Sequence, residues 1–168
     1  MGAWGWHRLH EVWAERIVSE AGVNPGDLVL DIGAGKGALT EHLVAAGARV
    51  LAIELHPGRA AYLRRRFASA DVRVVEVDAG TSLLLPHKPF RVVANPPYHI
   101  SSALLRTLTA RGSWLVRADL VLQKAFARKM ATGARPGRWR ATIGMSVPRN
   151  AFEPTPNVDS AVLVIKAG

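Results

Sequence analysis

Leu28-Val29-Leu30-Asp31-Ile32-Gly33-Ala34-Gly35-Lys36-Gly37 joins a short apolar run to three glycines at alternate positions, and Gly37 to Ala46 then carries Leu39, Leu43 and Val44 at helical spacing. This order predicts a buried strand, a turn bare enough for backbone to approach a ligand, and a helix opening with its N–H groups outward. The alternation recurs. Residues 49–53 read as a strand, 57–67 as a helix with Pro57 in its first turn, and 72–77 and 90–94 as strands. A helix over 101–109, with Ser101 or Ser102 as its cap, a strand over 120–123 and a short helix over 124–130 complete the series. Strands separated by helices of about ten residues imply parallel pairing through right-handed crossovers. The tail differs: 141–147 and 161–166 are strand candidates joined only by the Pro-rich stretch 148–159, so they are expected to pair antiparallel at one edge. Upstream, Leu9, Val12, Trp13 and Ile17 predict an amphipathic helix over 8–21, closed by Gly22 and the Asn24-Pro25-Gly26 turn. The expectation is an α/β fold with a mostly parallel seven-stranded sheet and an antiparallel terminal hairpin.

A chain of 168 residues with 49% hydrophobic content can bury one core, so a single domain is expected, residues 1–25 forming an N-terminal helical segment and 26–168 the sheet. No apolar run approaches the roughly 20 residues of a membrane span, and the start lacks the apolar core of a signal peptide. A cytoplasmic, monomeric protein is the expectation. The absence of cysteine excludes disulfides and thiolate metal sites, and the six histidines are scattered without ligand spacing, so no metal is expected. A net charge of +9, most of it from arginine, points to a polyanionic partner, with nucleic acid the first choice.

Chemistry concentrates after the strand candidates. Asp31, Gly33, Gly35 and Gly37 would cradle a nucleoside cofactor, Glu54 at the next strand end can accept both ribose hydroxyls, and Asp78 after the third can take an adenine amino group. Glycine loops of this kind also serve dinucleotide enzymes, but no hydride-transfer constellation is visible. Asn95-Pro96-Pro97-Tyr98 follows the fourth strand and brings an amide, a carbonyl beside a stiff proline ring and an aromatic face together. If the Asn95 oxygen and the Pro96 carbonyl each accept an N–H, a flat amino group is drawn toward tetrahedral character and its lone pair is aimed at a methyl donor, while Tyr98 stacks on the ring. The loop bearing Arg135, Arg138, Trp139 and Arg140 interleaves guanidinium groups with an indole, a surface suited to unpaired bases and phosphates and expected beside the reaction site.

These segments resemble the ribosomal RNA adenine N6-methyltransferases, the erythromycin-resistance type and its dimethyladenosine-synthase relatives. The resemblance rests on Asp31 to Thr40, Asp78-Ala79, Asn95 to Ser102, Gln123-Lys124 and Phe152-Glu-Pro-Thr-Pro-Asn-Val-Asp-Ser160, in the family's order. It implies a class I, Rossmann-like methyltransferase fold, S-adenosylmethionine as cofactor (with Asn95 also touching it), and Phe152 packed against a flipped adenine opposite Tyr98. The implied substrate is an unpaired adenine of 23S rRNA, free or in a large-subunit assembly intermediate, and the implied consequence is macrolide, lincosamide and streptogramin B resistance. Pro96 stands where the family usually has Leu or Ile, which spares the carbonyl. The N-terminal cofactor block survives only as Trp6-His7-Arg8-Leu9, and no C-terminal helical RNA-binding domain is expected after Gly168. Two other readings remain open: a protein methyltransferase acting on a side-chain amide or guanidinium, and a noncatalytic RNA-binding module.

Overall fold

The computed structural model describes residues 7–133 and 137–168. Its main sheet contains β2 (Leu28–Ile32), β3 (Arg49–Ile53), β4 (Val72–Val75), β5 (Phe90–Ala94), β6 (Leu115–Gln123), β7 (Trp139–Val147) and β9 (Ser160–Ala167), in the spatial order β4-β3-β2-β5-β6-β9-β7. Pairing is parallel from β4 through β6, and β9 runs antiparallel to both β6 and β7. Covered on both faces, the central strands need apolar residues at consecutive positions rather than alternate ones. Val92, Val93 and Ala94, like Leu120, Val121 and Leu122, are fully buried in accordance with that demand.

Helices α1 (Glu11–Ala21), α2 (Ala38–Ala45) and α3 (Pro57–Arg66) pack on one face, through Ala14, Ile17, Leu39, Leu43 and Leu63. The other face is covered by α4 (Ser101–Leu108) and α5 (Lys124–Thr132), through Leu104, Leu105, Leu108 and Ala127. Local chemistry sets the helix ends. Gly22 closes α1 in the left-handed region, at φ 64°. His56 caps α3, its Nδ1 accepting the N–H groups of Gly58 and Arg59 at 3.1 and 3.2 Å, with Pro57 in the first turn.

Three expectations on elements are corrected. The first helix begins at Glu11, not residue 8, because Arg8–Leu9 (β1) pairs antiparallel with Phe152–Glu153 (β8). The apparent helical face from Leu9 is misleading: Val12 is 60% exposed, while Leu9 is buried through β1. β6 begins at Leu115, five residues before the predicted start, and β4 ends at Val75 rather than 77.

β2 and β5 are neighbours, and the crossover from β2 to β3 runs to one side of them while that from β5 to β6 runs to the other. A crevice opens at the carboxyl ends of such strands. The glycine loop after β2 and the Asn95 loop after β5, some sixty residues apart in sequence, therefore lie side by side there.

Candidate active site

The two loops interlock. Gly33, at φ +73°, donates its N–H to the Ile53 carbonyl at 2.8 Å, and a Cβ built on it would stand 2.8 Å from Cδ of Pro97 and 3.3 Å from Cα of Pro96. Any side chain at this position would push the Asn95 loop away, so the glycine is required both by backbone conformation and by the neighbouring loop. Gly35, also left-handed, donates to Glu54 Oε1 at 2.8 Å.

A pocket lies between these loops and the ends of β3 and β4. Its walls are Ile53, Leu55, Val77, Ala79, Pro97 and Ile100, and its polar groups include the carboxylates of Glu54 and Asp78. Glu54 is almost wholly buried, with Oε2 accepting the His56 N–H at 2.9 Å and lying 3.5 Å from Arg59 Nε. These contacts hold the carboxylate in place. Asp78 is held in a turn by the Gly80 N–H at 2.9 Å on Oδ1. Apolar walls with two fixed acceptors suit an adenosine, whose flat base needs burial and whose diol and amino group need acceptors.

A smaller hollow, lined by Leu9, Asp31, Gly33, Ala34, Lys36 and Asn95 among others, continues the pocket toward the N-terminal strand. Asp31 is 1% exposed and accepts the Thr40 hydroxyl at 2.7 Å on Oδ2. Burial raises its carboxyl from an ordinary value of 3.8 to about 7; the Thr40 hydrogen bond opposes that rise and the nearby Glu54 charge adds to it. A carboxylate in this position gains most from a cationic partner. An amino acid ammonium would meet that need, and together with the adenosine pocket it makes S-adenosylmethionine a fit to the residues present.

Asn95 is oriented from an unexpected direction. Its Nδ2 donates to the backbone carbonyl of His7 at 2.8 Å. A carbonyl can only accept, so the amide NH2 must face His7 and Oδ1 is left as the acceptor. β1 and β8 hold His7 there, aided by its Nδ1, which lies 2.8 Å from the Pro154 carbonyl oxygen. Pro96 is buried, and Pro97 leads into the turn that carries Tyr98. The Tyr98 hydroxyl is 2.6 Å from Ser160 Oγ, and burial pushes its pKa up against the lowering effect of that hydrogen bond. Its ring is near parallel to that of His7, with centroids 6.0 Å apart. Both border an open cleft of about 770 Å³, with Gln123 and the 155–158 turn on its other sides.

Asp31, Gly33, Glu54, Asp78, Asn95 and Tyr98 are thus brought together, with Gly35 and Gly37 shaping the loop between them. Two expectations fail. Phe152 is 1% exposed and sits in the core on the α1–α3 side, paired with Leu9 through β8. It does not border the cleft beside Tyr98, so the clamp drawn from the resemblance is not formed; the residue anchors the strand that presents His7. The basic loop is the second. Trp139 and Arg140 pair with Ala167 and Lys166 at the far end of β9, whereas Val147 and Ser160 mark the end beside the cleft. Seven residue steps along β9 separate the two ends, roughly 23 Å. Trp139 is only 7% exposed, and Arg138 lies over its ring at 4.6 Å while donating to the Ser113 carbonyl. The indole is therefore a core residue with a guanidinium lid, not a stacking platform at the reaction site. Arg135 lies outside the described residues.

Sequence reasoning missed Ser160, Thr40 and the His7 carbonyl as supports. It also treated the histidines as isolated, whereas His42 lies with Glu11 and Glu41, their ligand atoms all within 4.8 Å. Arg66 already holds Glu41 at 2.8 Å, so one of those carboxylates is committed to an ion pair.

Residues 10–167 match the family model described as ribosomal RNA adenine dimethylase. The chain belongs to that family. Among curated relatives, ribosomal RNA small subunit methyltransferase A of Thermosynechococcus vestitus is 35% identical over 96% of this chain and 66% of its own length. Mycinamicin-resistance protein MyrB of Micromonospora griseorubida is 38% identical over 89% of this chain and 49% of its own length. The chain thus spans about half to two thirds of these relatives. The crystal structure of the 23S rRNA methyltransferase ErmE superposes with a TM-score of 0.83 at 30% identity, covering 97% of this chain and 70% of that one. The architecture is that of the S-adenosylmethionine-dependent methyltransferases, as expected for the seven-stranded sheet.

Proposed function

We propose that the protein transfers a methyl group from S-adenosylmethionine to the N6 amino group of an unpaired adenine in ribosomal RNA. The observation that carries this reading is the orientation of Asn95, whose NH2 is engaged by the His7 carbonyl so that Oδ1 is the free acceptor. An adenine amino group is a weak nucleophile because its lone pair is delocalised into the ring. Acceptors at Asn95 Oδ1 and the Pro96 carbonyl oppose that delocalisation by holding both hydrogens, and Tyr98, fixed by Ser160, offers its face to the base. The cofactor supplies an electrophilic methyl group. Once the nitrogen carries four bonds it is cationic and acidic, so its proton can pass to water without a dedicated base. A base stacked inside a duplex cannot reach the cleft, so the target is a flipped or unpaired nucleotide.

For the finer assignment we favour 23S rRNA, free or within a large-subunit assembly intermediate, and with it macrolide, lincosamide and streptogramin B resistance in the cytoplasm of the host. The names of MyrB and ErmE support this choice. The small-subunit relatives support 16S rRNA as the competing target. Among the described residues no helix is long and apolar enough to cross a membrane. Labelled S-adenosylmethionine given to separated large- and small-subunit rRNA, followed by primer extension, tests the assignment. Label at an adenine in 23S rRNA is expected, with a reverse-transcription stop where that adenine carries two methyl groups. Label confined to 16S rRNA would overturn the 23S assignment, and label in neither would overturn the activity.

A further inference from the structure

The positive charge is confined to one part of the molecule. Between Asp78 and Glu153 the sequence has twelve basic residues and a single acidic one, Asp119, whereas residues 1–78 have nine basic and ten acidic. Asp119 is buried and bound to Arg117 at 2.8 Å, so it offsets nothing at the surface. The sheet turns this sequence asymmetry into two faces. In the first half, which supplies α1, α2 and α3, arginines meet carboxylates: Arg49 meets Asp71, Arg64 meets Glu76 and Arg66 meets Glu41. The opposite face belongs to α4 and α5, neither of which contains an acidic residue. Arg106 on α4 and Arg128 and Lys129 on α5 are exposed there, and no ion pair joins them to a carboxylate among the described residues.

Position links this surface to the reaction site. Gln123 borders the cleft, and α5 begins at the next residue, where the Lys124 N–H donates to the Asp159 carbonyl at 3.0 Å and fixes the helix start at the cleft mouth. Arg128 lies one turn further along the same stripe of the helix, about 6 Å away. We propose that the outer surface of α5 and α4 is the track for the sugar–phosphate backbone of the substrate RNA, with Lys124 at the mouth of the cleft and Arg128, Lys129 and Arg106 beyond it. The inference rests on the reading of the cleft as an RNA-modifying site and adds the surface that holds the strand. Guanidinium and ammonium groups on a helix neutralise phosphates without reading bases, so this track supplies affinity and register and leaves the choice of base to the cleft.

The test compares Lys124→Gln/Arg128→Gln/Lys129→Gln with a control on the opposite face, Arg16→Gln/Arg64→Gln/Arg65→Gln. Each would be titrated against a fluorescein-labelled rRNA hairpin with an unpaired adenine, at salt from about 50 to 200 mM. The α5 variant is expected to lose about tenfold or more in affinity and to reduce the log–log salt slope by about 2 to 3, at roughly 0.7–0.9 for each phosphate contact removed. The control is expected to stay close to wild type. Calorimetric S-adenosylmethionine binding, unchanged in both variants, reports that the site is folded. Wild-type affinity and slope in the α5 variant, equal losses in the control, or no binding by the wild-type protein would each overturn the proposal. Methylation by the wild type together with unweakened binding by the α5 variant refutes the track and spares the activity. Weakened binding by the α5 variant with no methylation by any form refutes the activity and spares the track.

Discussion

Replacement of Asp31 by asparagine tests the electrostatics of the cofactor site with a defined sign. The carboxyl is buried, and its pKa is raised from 3.8 to about 7. A carboxyl with a raised folded-state value holds its proton longer in the native protein than in the unfolded chain, so native stability falls as pH rises from about 4 to about 7 and stays low above that. A rise of about three units corresponds to a cost on the order of 4 kcal/mol, fully present above pH 7 and absent below pH 4. The amide introduced by Asp31→Asn can still accept the Thr40 hydroxyl through its oxygen, so packing and the 2.7 Å hydrogen bond are preserved while the charge is removed. Urea denaturation of the cofactor-free protein should therefore show the variant close to wild type near pH 4.5 and more stable by up to a few kcal/mol at pH 8. If Asp31 takes the cofactor's ammonium, cofactor binding is expected to reverse the preference, because a cationic partner favours the carboxylate. Calorimetry at pH 6 in two buffers of different ionisation enthalpy should detect close to one proton released per S-adenosylmethionine bound to wild type, and none from Asp31→Asn. A stability difference that does not change between pH 4.5 and 8, or equal proton release by both proteins, would refute the reasoning.

Other consequences concern the reacting site and the corrected residues. Asn95→Ala removes a preorganised acceptor and should lower kcat by about 10²–10³, as single-turnover methyl transfer at saturating cofactor would report; an unchanged kcat would remove Asn95 from the chemistry. Ser160→Ala releases the Tyr98 hydroxyl and should raise KM for RNA more than it lowers kcat, with Tyr98→Phe matching it because both lose the same 2.6 Å contact; clearly different effects would show that the tether is not the shared cause. Trp139→Ala should cost about 3–5 kcal/mol of stability, read from denaturant midpoints, without changing the RNA affinity of the protein that remains folded. A specific loss of RNA binding at intact stability would restore Trp139 as a stacking residue.

The strands beside the cofactor pocket were legible because burial on both faces imposes continuous apolar runs, and Val92 to Ala94 satisfies that demand directly while Val29, Leu30 and Ile32 do so around the one buried carboxyl of Asp31. The first half of β6 was hidden by Arg117 and Asp119, whose charges look like loop and in fact neutralise each other against the sheet. The N-terminal segment misled for a different reason. Leu9 falls by coincidence in the helical period of Val12, Trp13 and Ile17, and only a pairing with residues more than 140 positions later shows that it belongs to a strand. The donor and acceptor residues of the site were readable as motif members, but not what holds them: His7 is 88 positions from Asn95, and Ser160 is 62 from Tyr98. No local pattern records contacts at such separations. Phe152 was assigned to a ligand surface by the resemblance and Trp139 by its side-chain chemistry, yet aromatic side chains carry enough apolar area that the core claims them first.

The account depends most on the methyl group reaching the exocyclic nitrogen of adenine under the control of Asn95. Its most direct test is chromatography and mass spectrometry of nucleosides from an rRNA hairpin with one unpaired adenine, after incubation with S-adenosylmethionine and either wild type or Asn95→Ala. N6-methyladenosine or its dimethyl form from wild type, nearly absent with the variant, is the predicted result. Methyl on a ring atom, on ribose or on protein, or equal N6 methylation by both proteins, would contradict it.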